Sequence, residues 1–370
     1  MRLSRFCIAK IPWGVWLLAL VAAAGAQEAE APASAAPRPA TPPLIRVPRV
    51  MAHLGAADIG LVINTADPYS MAVGAYYVER RGLQPEQVLQ VELPLRATLT
   101  PQEFDALRQR IAQHFGDRVQ ALALAWMLPY AVQCQSITGV LALGFDPGFC
   151  RQSCAPSRPS PYFNSASSAP WRDLGLRPAM LLAARSVEEG RRLIDRGVES
   201  DHSLGLPGAP PVHVYFVSTT DAARNVRAPL FPPPGRMSRL GVEVHAIATN
   251  ALRDRERLLM VQTGLAKVPH LDSLGWVDGA LADHLTSFGG RLDKQGGQTT
   301  ALAWLESGAT ASYGTVSEPC NHLQKFPHPQ LLLLHYLQGA TAIEAYWKSV
   351  AWPLQGVFVG EPLAAPFARP

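Results

Sequence analysis

Short apolar runs alternate with amphipathic stretches along most of this chain. Residues 58–65 (DIGLVINT) form a β-branched apolar run, the pattern of a buried strand. After Asn64-Thr65-Ala66-Asp67-Pro68, Ser70 is expected to cap a helix through Val73, Tyr76, Tyr77 and Arg80 that stops at Gly82. Residues 88–93 predict a second strand. Thr100-Pro101-Gln102-Glu103 is a capping box with proline at the first helical position, opening a helix to about Phe115. Residues 119–126 (VQALALAW) predict a fully apolar strand. This alternation of strand and helix predicts a mostly parallel sheet with helices on both faces.

The rhythm breaks over 133–176. That stretch holds Cys134, Cys150 and Cys154 among many Ser, Pro and Gly residues, and reads as a long disulfide-pinned loop or insertion near a site. Strand returns at 179–184. Ser186-Val187-Glu188-Glu189 is a second capping box, for a helix closing at Gly197. Strands follow at 212–218 (VHVYFVS), 242–248 and 258–263, with a short helix in AARNVR after the first of them. Thr299 or Thr300 caps ALAWLES, which Gly308 ends, and 309–316 (ATASYGTV) reads as a strand of small residues. A helix starts at His328-Pro329 and stops at Gly339. Thr341-Ala342-Ile343-Glu344 is a third capping box, for a helix ending before Pro353, and 356–359 is a short last strand. The expected fold is α/β, three-layer α/β/α, with a mostly parallel sheet.

The ends of the chain change the domain picture. Arg2, Arg5 and Lys10 precede an apolar stretch from Ile11 to Ala23, and Ala24-Gly25-Ala26 offers small cleavage residues, so 1–26 reads as a secretory signal. Residues 27–43 are an Ala/Pro-rich linker, and 44–370 a single α/β domain. Without the leader, 30 basic residues face 29 acidic ones, so the chain has no basic stripe for nucleic acid. It also has no stable membrane span once the signal is removed. The remaining cysteines are Cys134, Cys150, Cys154 and Cys320, an even set that fits disulfides in an exported, periplasmic or extracellular protein. Cys150 and Cys154 are close enough for a small loop, which would leave Cys134 with Cys320, but four cysteines allow three pairings.

Candidate chemistry concentrates between Trp276 and His322, where Asp278, Asp283, His284, Thr286, Ser287, Glu318, Cys320, Asn321 and His322 flank a helix and strand-like runs. An α/β protein builds its site on loops beyond strand ends. Asp283 can orient His284 as a base acting on Ser287 or on water. Cys320 with His284 or His322 can supply a thiol–imidazole pair, if it is not in a disulfide. Asp278, Asp283, His284, Glu318 and His322 are a conceivable metal set, although no spacing such as H-E-x-x-H supports it. The bland alternative is that Asp283 and His284 hydrogen-bond the next turn. Asp67 and Ser70 can line the same crevice or simply form an Asx-Pro turn and helix cap. Asp221 and Arg224 are either an exposed pair or a clamp for a substrate carboxylate, with helix capping by Thr220 or Asp221 the safer role. No G-x-G-x-x-G follows the first strand and no G-x-x-x-x-G-K-[ST] occurs, so no cofactor is assigned.

From Asp58 onward the segments NTADPYS, SITGVLALGFD, LIDRGVESD, TTDAARNVR, GALADHLTSFGG, GATASYGTVSEPCNHLQKFP, EAYWKSV and VGEPLAAPF resemble an uncharacterised family of exported bacterial proteins. The C-terminal third is more distantly similar to gingipain-like cysteine peptidases. That resemblance implies a caspase-like fold, with a His-Gly after one strand and a Cys after the next. Here Gly264-Leu265 follows LLMVQT and DHLTSFGG stands at the second place, so neither dyad member is present. Two readings follow. One is an exported hydrolase on peptide or other amide or ester bonds, with His284 and Asp283 as base and Thr286, Ser287 or Cys320 on the nucleophile side. The other is a non-catalytic protein binding a small molecule or peptide. A metal-dependent hydrolase is a third class.

Overall fold

A sheet of eleven strands runs through the described residues, and its strand directions decide where a site can form. The computed structural model describes residues 53–294 and 297–369, all within one compact unit. The expected leader and linker lie outside the described residues.

The first half contributes β1 (Ile59–Asn64), α1 (Pro68–Arg81), β2 (Val88–Val91), β3 (Thr98–Leu99), α2 (Pro101–Phe115) and β4 (Ala121–Leu124). Then come β5 (Ala131–Val132), β6 (Gln135–Ser136), α3 (Ile137–Leu143), α4 (Pro170–Leu174), β7 (Ala179–Leu181) and α5 (Val187–Ser200). The second half has β8 (Val212–Ser218), β9 (Gly235–Met237), β10 (Val242–Ala248), β11 (Arg255–Thr263) and β12 (Leu274–His284). It closes with α6 (Ala301–Ser307), β13 (Ala311–Thr315), α7 (Pro329–Leu337), α8 (Ala342–Ser349) and β14 (Gly356–Gly360).

The large sheet runs β2-β1-β4-β7-β14-β13-β12-β11-β8-β10-β9, and only β14 with β13 and β10 with β9 pair antiparallel. Successive side chains on a strand point to opposite faces, and two cores result. Leu61, Ile63, Ala123, Val214 and Leu281 face α1, α5, α7 and α8. Val62, Leu122 and Leu124 face α2 and α3, while Val261 and Ala282 face Trp304 of α6. This is the expected three-layer α/β/α arrangement, and burial on both faces explains why the strands read as unbroken apolar runs.

Local signals carry over where side chain and backbone bond within one turn. The Thr100 and Thr341 boxes form as expected, each hydroxyl accepting from the amide three residues on. The Ser186 box is half-made: Ser186 accepts from Glu189 N, but the Glu189 carboxylate accepts from Arg185 N. Asp67, not Ser70, caps α1, accepting from Tyr69 N at 3.0 Å with Pro68 in the first turn. Ser70 is buried inside the helix and accepts from Asn64 N at 2.7 Å, tying α1 to β1.

Three further expectations change. The AARNVR helix is a 3-10 turn over Asn225–Leu230. The insertion at 133–176 begins with the buried helix α3, packed on β7 and β14. Its disulfides are Cys134–Cys150 and Cys154–Cys320, not Cys150–Cys154.

Strand direction matters most. β14 is parallel to β7 and antiparallel to β13. The sheet therefore reverses there: β1, β2, β4 and β7 run one way, and β8, β10, β11, β12 and β13 the other. Asp67 and Ser70, just past β1, lie at the opposite end of the sheet from residues just past β8, β11 and β12. They do not line the crevice that holds Arg224 and Thr286. The rule that parallel strands put their ends on one side holds only within each half.

Candidate functional site at the strand ends

The C-terminal ends of β8, β11, β12 and β13 bring together Thr219, Asp221, Arg224, Gly264, Thr286 and Ser287. Thr219 Oγ1 donates to the Gly264 carbonyl at 2.7 Å, joining the loops after β8 and β11. A Cβ on Gly264 would lie 1.9 Å from the Arg224 carbonyl oxygen, so this position needs glycine for close approach. Arg224 Nη1 donates to Asp221 Oδ2 at 2.9 Å and Nε to Thr286 Oγ1 at 3.2 Å. Thr286 Oγ1 in turn donates to Gln298 Oε1 at 2.7 Å, and the Phe288 amide reaches the same oxygen at 2.8 Å. The guanidinium thus links loops after β8 and β12, and the Arg224 side chain remains about a quarter exposed (24%). Asp221 also accepts from the Arg224 amide, closing the turn before the 3-10 helix rather than capping it. Gln298 lines a neighbouring open cleft of about 550 Å³ with Arg185, Lys267, Lys294 and Glu306. Arg185 pairs with Glu306 and Lys294 with Asp293; among the described residues Lys267 makes no ion pair, which leaves the cleft cationic.

Beneath this crevice, Asp283 and His284 do not act together. They are adjacent on β12, so their side chains leave opposite faces of the sheet. Asp283 lies in the α7–α8 core. It accepts from Arg227 Nη1 at 2.6 Å and from Gln262 Nε2 at 2.7 Å. Arg227 also donates to the carbonyls of Pro327 and Thr263. Burial raises the Asp283 carboxyl, and the Arg227 charge opposes it. This pair anchors the turn that carries Arg224.

His284 is 1% exposed and faces α6. The Trp304 indole N–H donates to its Nδ1 at 2.9 Å, and its buried Nε2 has no hydrogen-bond partner within 3.5 Å among the described residues. Burial, then the Arg227 charge, pushes the imidazole down to about 3, with the Thr299 backbone working the other way. A neutral ring whose one lone pair is already taken cannot receive a proton from Ser287 or water. Ser287 contributes its carbonyl to Thr315 Oγ1 at 3.0 Å, bracing β13 against the loop after β12.

The remaining candidates separate. Cys320 is bonded to Cys154 and is no nucleophile. Glu318 accepts from the Cys320 amide at 2.9 Å, shaping the loop after β13. Asn321 is exposed with φ +58°, and the His322 ring lies 5.8 Å from that of Trp352. Asp278 sits near Arg196 in the irregular stretch of β12 between Trp276 and Leu281, before the regular pairing that holds Asp283. Burial, with Glu199 nearby, raises its carboxyl. The proposed metal set is therefore not gathered: it is split by strand position and by sheet face. Among the described residues, a three-membered group of potential metal ligands occurs instead at His213, Glu243 and His245. Sequence reasoning passed over these. Their signal was the polar alternation in VHVYF and VEVHA, two strands that turn out to be neighbours.

Among known proteins, no family model and no curated relative matches this chain. Two solved structures resemble it at 10% identity, each covering 86% of this chain and 80% of the other. One is the Arg-specific cysteine proteinase gingipain R, at a TM-score of 0.46, and the other is described only as a protease, at 0.48. Both scores lie below 0.5, so the mostly parallel α/β architecture stands on its own strand order and register.

Proposed function

We propose that this chain is an exported binding protein whose strand-end crevice receives an anionic group, a carboxylate on a small molecule or peptide. The observation that carries this reading is the state of His284: a buried ring, with Trp304 on Nδ1 and no hydroxyl, thiol or carboxylate hydrogen-bonded to it. Hydrolysis by the expected base therefore has no proton path. What the crevice does present is Arg224, held by Asp221 and Thr286 with its side chain about a quarter exposed; Gln298, which accepts from Thr286, lines the neighbouring cleft together with Lys267. A planar guanidinium held on two sides is pre-organised for a carboxylate. Export is supported by the two disulfides, which belong to oxidising compartments.

The test uses the leaderless chain with fluorogenic amide and ester substrates, and calorimetry with peptides bearing a free or an amidated C-terminus. The expected result is no turnover and carboxylate-dependent binding that weakens ~10-fold or more in Arg224→Ala, as loss of a charge-assisted hydrogen bond implies. Turnover that disappears in His284→Ala would restore the hydrolase reading. Binding indifferent to both the carboxylate and Arg224 would remove the anion site.

A further inference from the structure

On the outer strands, away from the strand-end crevice, a second cluster stands on one face of the sheet. His213 of β8 and Glu243 of β10 are direct cross-strand partners, and His245 is two residues further along β10. Alternation turns Val212, Val214, Val242 and Val244 into the opposite core and leaves these three polar side chains together, partly buried. His213 Nδ1 is 3.1 Å from His245 Nε2 and 3.7 Å from Glu243 Oε2. All three ligand atoms lie within 4.8 Å of one another.

We propose that His213, Glu243 and His245 bind a divalent transition metal of the zinc type. Two imidazoles and one carboxylate are a borderline-soft donor set suited to that ion. Two nitrogens bound to one tetrahedral zinc stand about 3.3 Å apart, given bond lengths of ~2.0–2.1 Å. The observed 3.1 Å needs only a small opening. The surroundings already orient the ligands. The His245 ring stacks on Tyr215, with centroids 4.5 Å apart and planes at 16°. Arg236 of β9 takes the Oε1 atom of Glu243, which leaves Oε2 facing His213. Such outer partners fix ligand orientation in metal sites. The cluster is part-exposed, so a fourth position is open to water. Arg236, and Arg255 at 5.8 Å over the Tyr215 ring, add positive charge nearby and hold the affinity below that of an enclosed structural site. Bound there, the ion cross-links β8 and β10, next to the edge strand β9.

The experiment is titration of the chelator-treated, leaderless chain with zinc chloride, read by calorimetry and equilibrium dialysis, with melting temperature followed in parallel. One ion per chain is expected, with a zinc-dependent rise in melting temperature. His213→Ala and Glu243→Gln should each weaken binding ~10-fold or more, while His114→Ala, outside the cluster, leaves it unchanged. His213→Ala is preferred to His245→Ala because the latter also removes the stack on Tyr215; circular dichroism confirms that each variant is folded. No stoichiometric uptake by the wild-type chain at high micromolar zinc would overturn the proposal, and so would uptake equal in wild type and His213→Ala.

Discussion

Asp283 and His284 are consecutive in the chain and back to back in the fold. One belongs to a buried ion pair with Arg227 on the α7–α8 side, and the other to a hydrogen bond from Trp304 on the α6 side. The sheet lies between them, so a carboxylate–imidazole pair is excluded by strand geometry alone.

The buried imidazole makes stability depend on pH. Its folded pKa, about 3, lies below the ordinary value of 6.5. Between those values the unfolded chain binds the proton and the folded chain does not. The contribution of the neutral ring is fully present above pH ~6.5 and is lost as pH falls toward 3, by about 1.4 kcal/mol per unit where it acts alone. Urea midpoints at pH 7, 6 and 5 should fall in wild type and fall less steeply in His284→Gln. Equal slopes in the two proteins would contradict the burial described for this ring.

Arg227 and Asp283 should show the asymmetry of buried charge. Asp283→Ala strands a guanidinium in the core and is expected to cost ~3–5 kcal/mol in chemical denaturation. Replacing both, as Arg227→Met with Asp283→Leu, should recover much of that loss, because no unpaired charge remains. A double variant as unstable as the single one would mean that the bonds to Pro327 and Thr263 matter more than the pair.

Gly264→Ala tests how the crevice is shaped. The new methyl meets the Arg224 carbonyl and must displace the backbone that carries this arginine. Overpacking of this kind costs ~1–3 kcal/mol. Carboxylate binding should weaken as it does in Arg224→Ala, whereas unchanged affinity would separate Gly264 from the positioning of Arg224.

The two disulfides close loops of very different length, with sequence separations of 16 and 166. The chain-entropy model gives ~3 kcal/mol for the short loop and ~5 kcal/mol for the long one. Cys154→Ser with Cys320→Ser should therefore lower the guanidinium midpoint more than Cys134→Ser with Cys150→Ser. Thiol titration of the denatured chain lacking residues 1–26 should find no free sulfhydryl; a reactive Cys320 would reopen its case as a nucleophile.

Particular residues show where sequence reading reached and where it stopped. Thr100 and Thr341 announced their helices because hydroxyl, amide and carboxylate all lie within one turn. Buried strands such as VQALALAW were legible because burial on both faces demands a continuous apolar run. Thr286 and Arg224 were each singled out, but their meeting, 62 residues apart, was not. Trp304 is fully buried in the core, and its indole N–H also occupies the Nδ1 lone pair of His284, a partnership no local pattern records. His213, Glu243 and His245 lie on two strands, 212–218 and 242–248, whose pairing the sequence does not show.

What the sequence determined by itself was local and periodic: the α/β alternation, the caps, and the loops on which polar residues collect. Those properties follow from the backbone's own geometry and from which positions shun water. Only the tertiary structure decided the reversal of strand direction at β14, the pairing of Cys154 with Cys320, and the partners of Asp283 and His284. Each of these is a contact between distant segments, chosen by the mutual packing of whole elements, and no local pattern records such a choice.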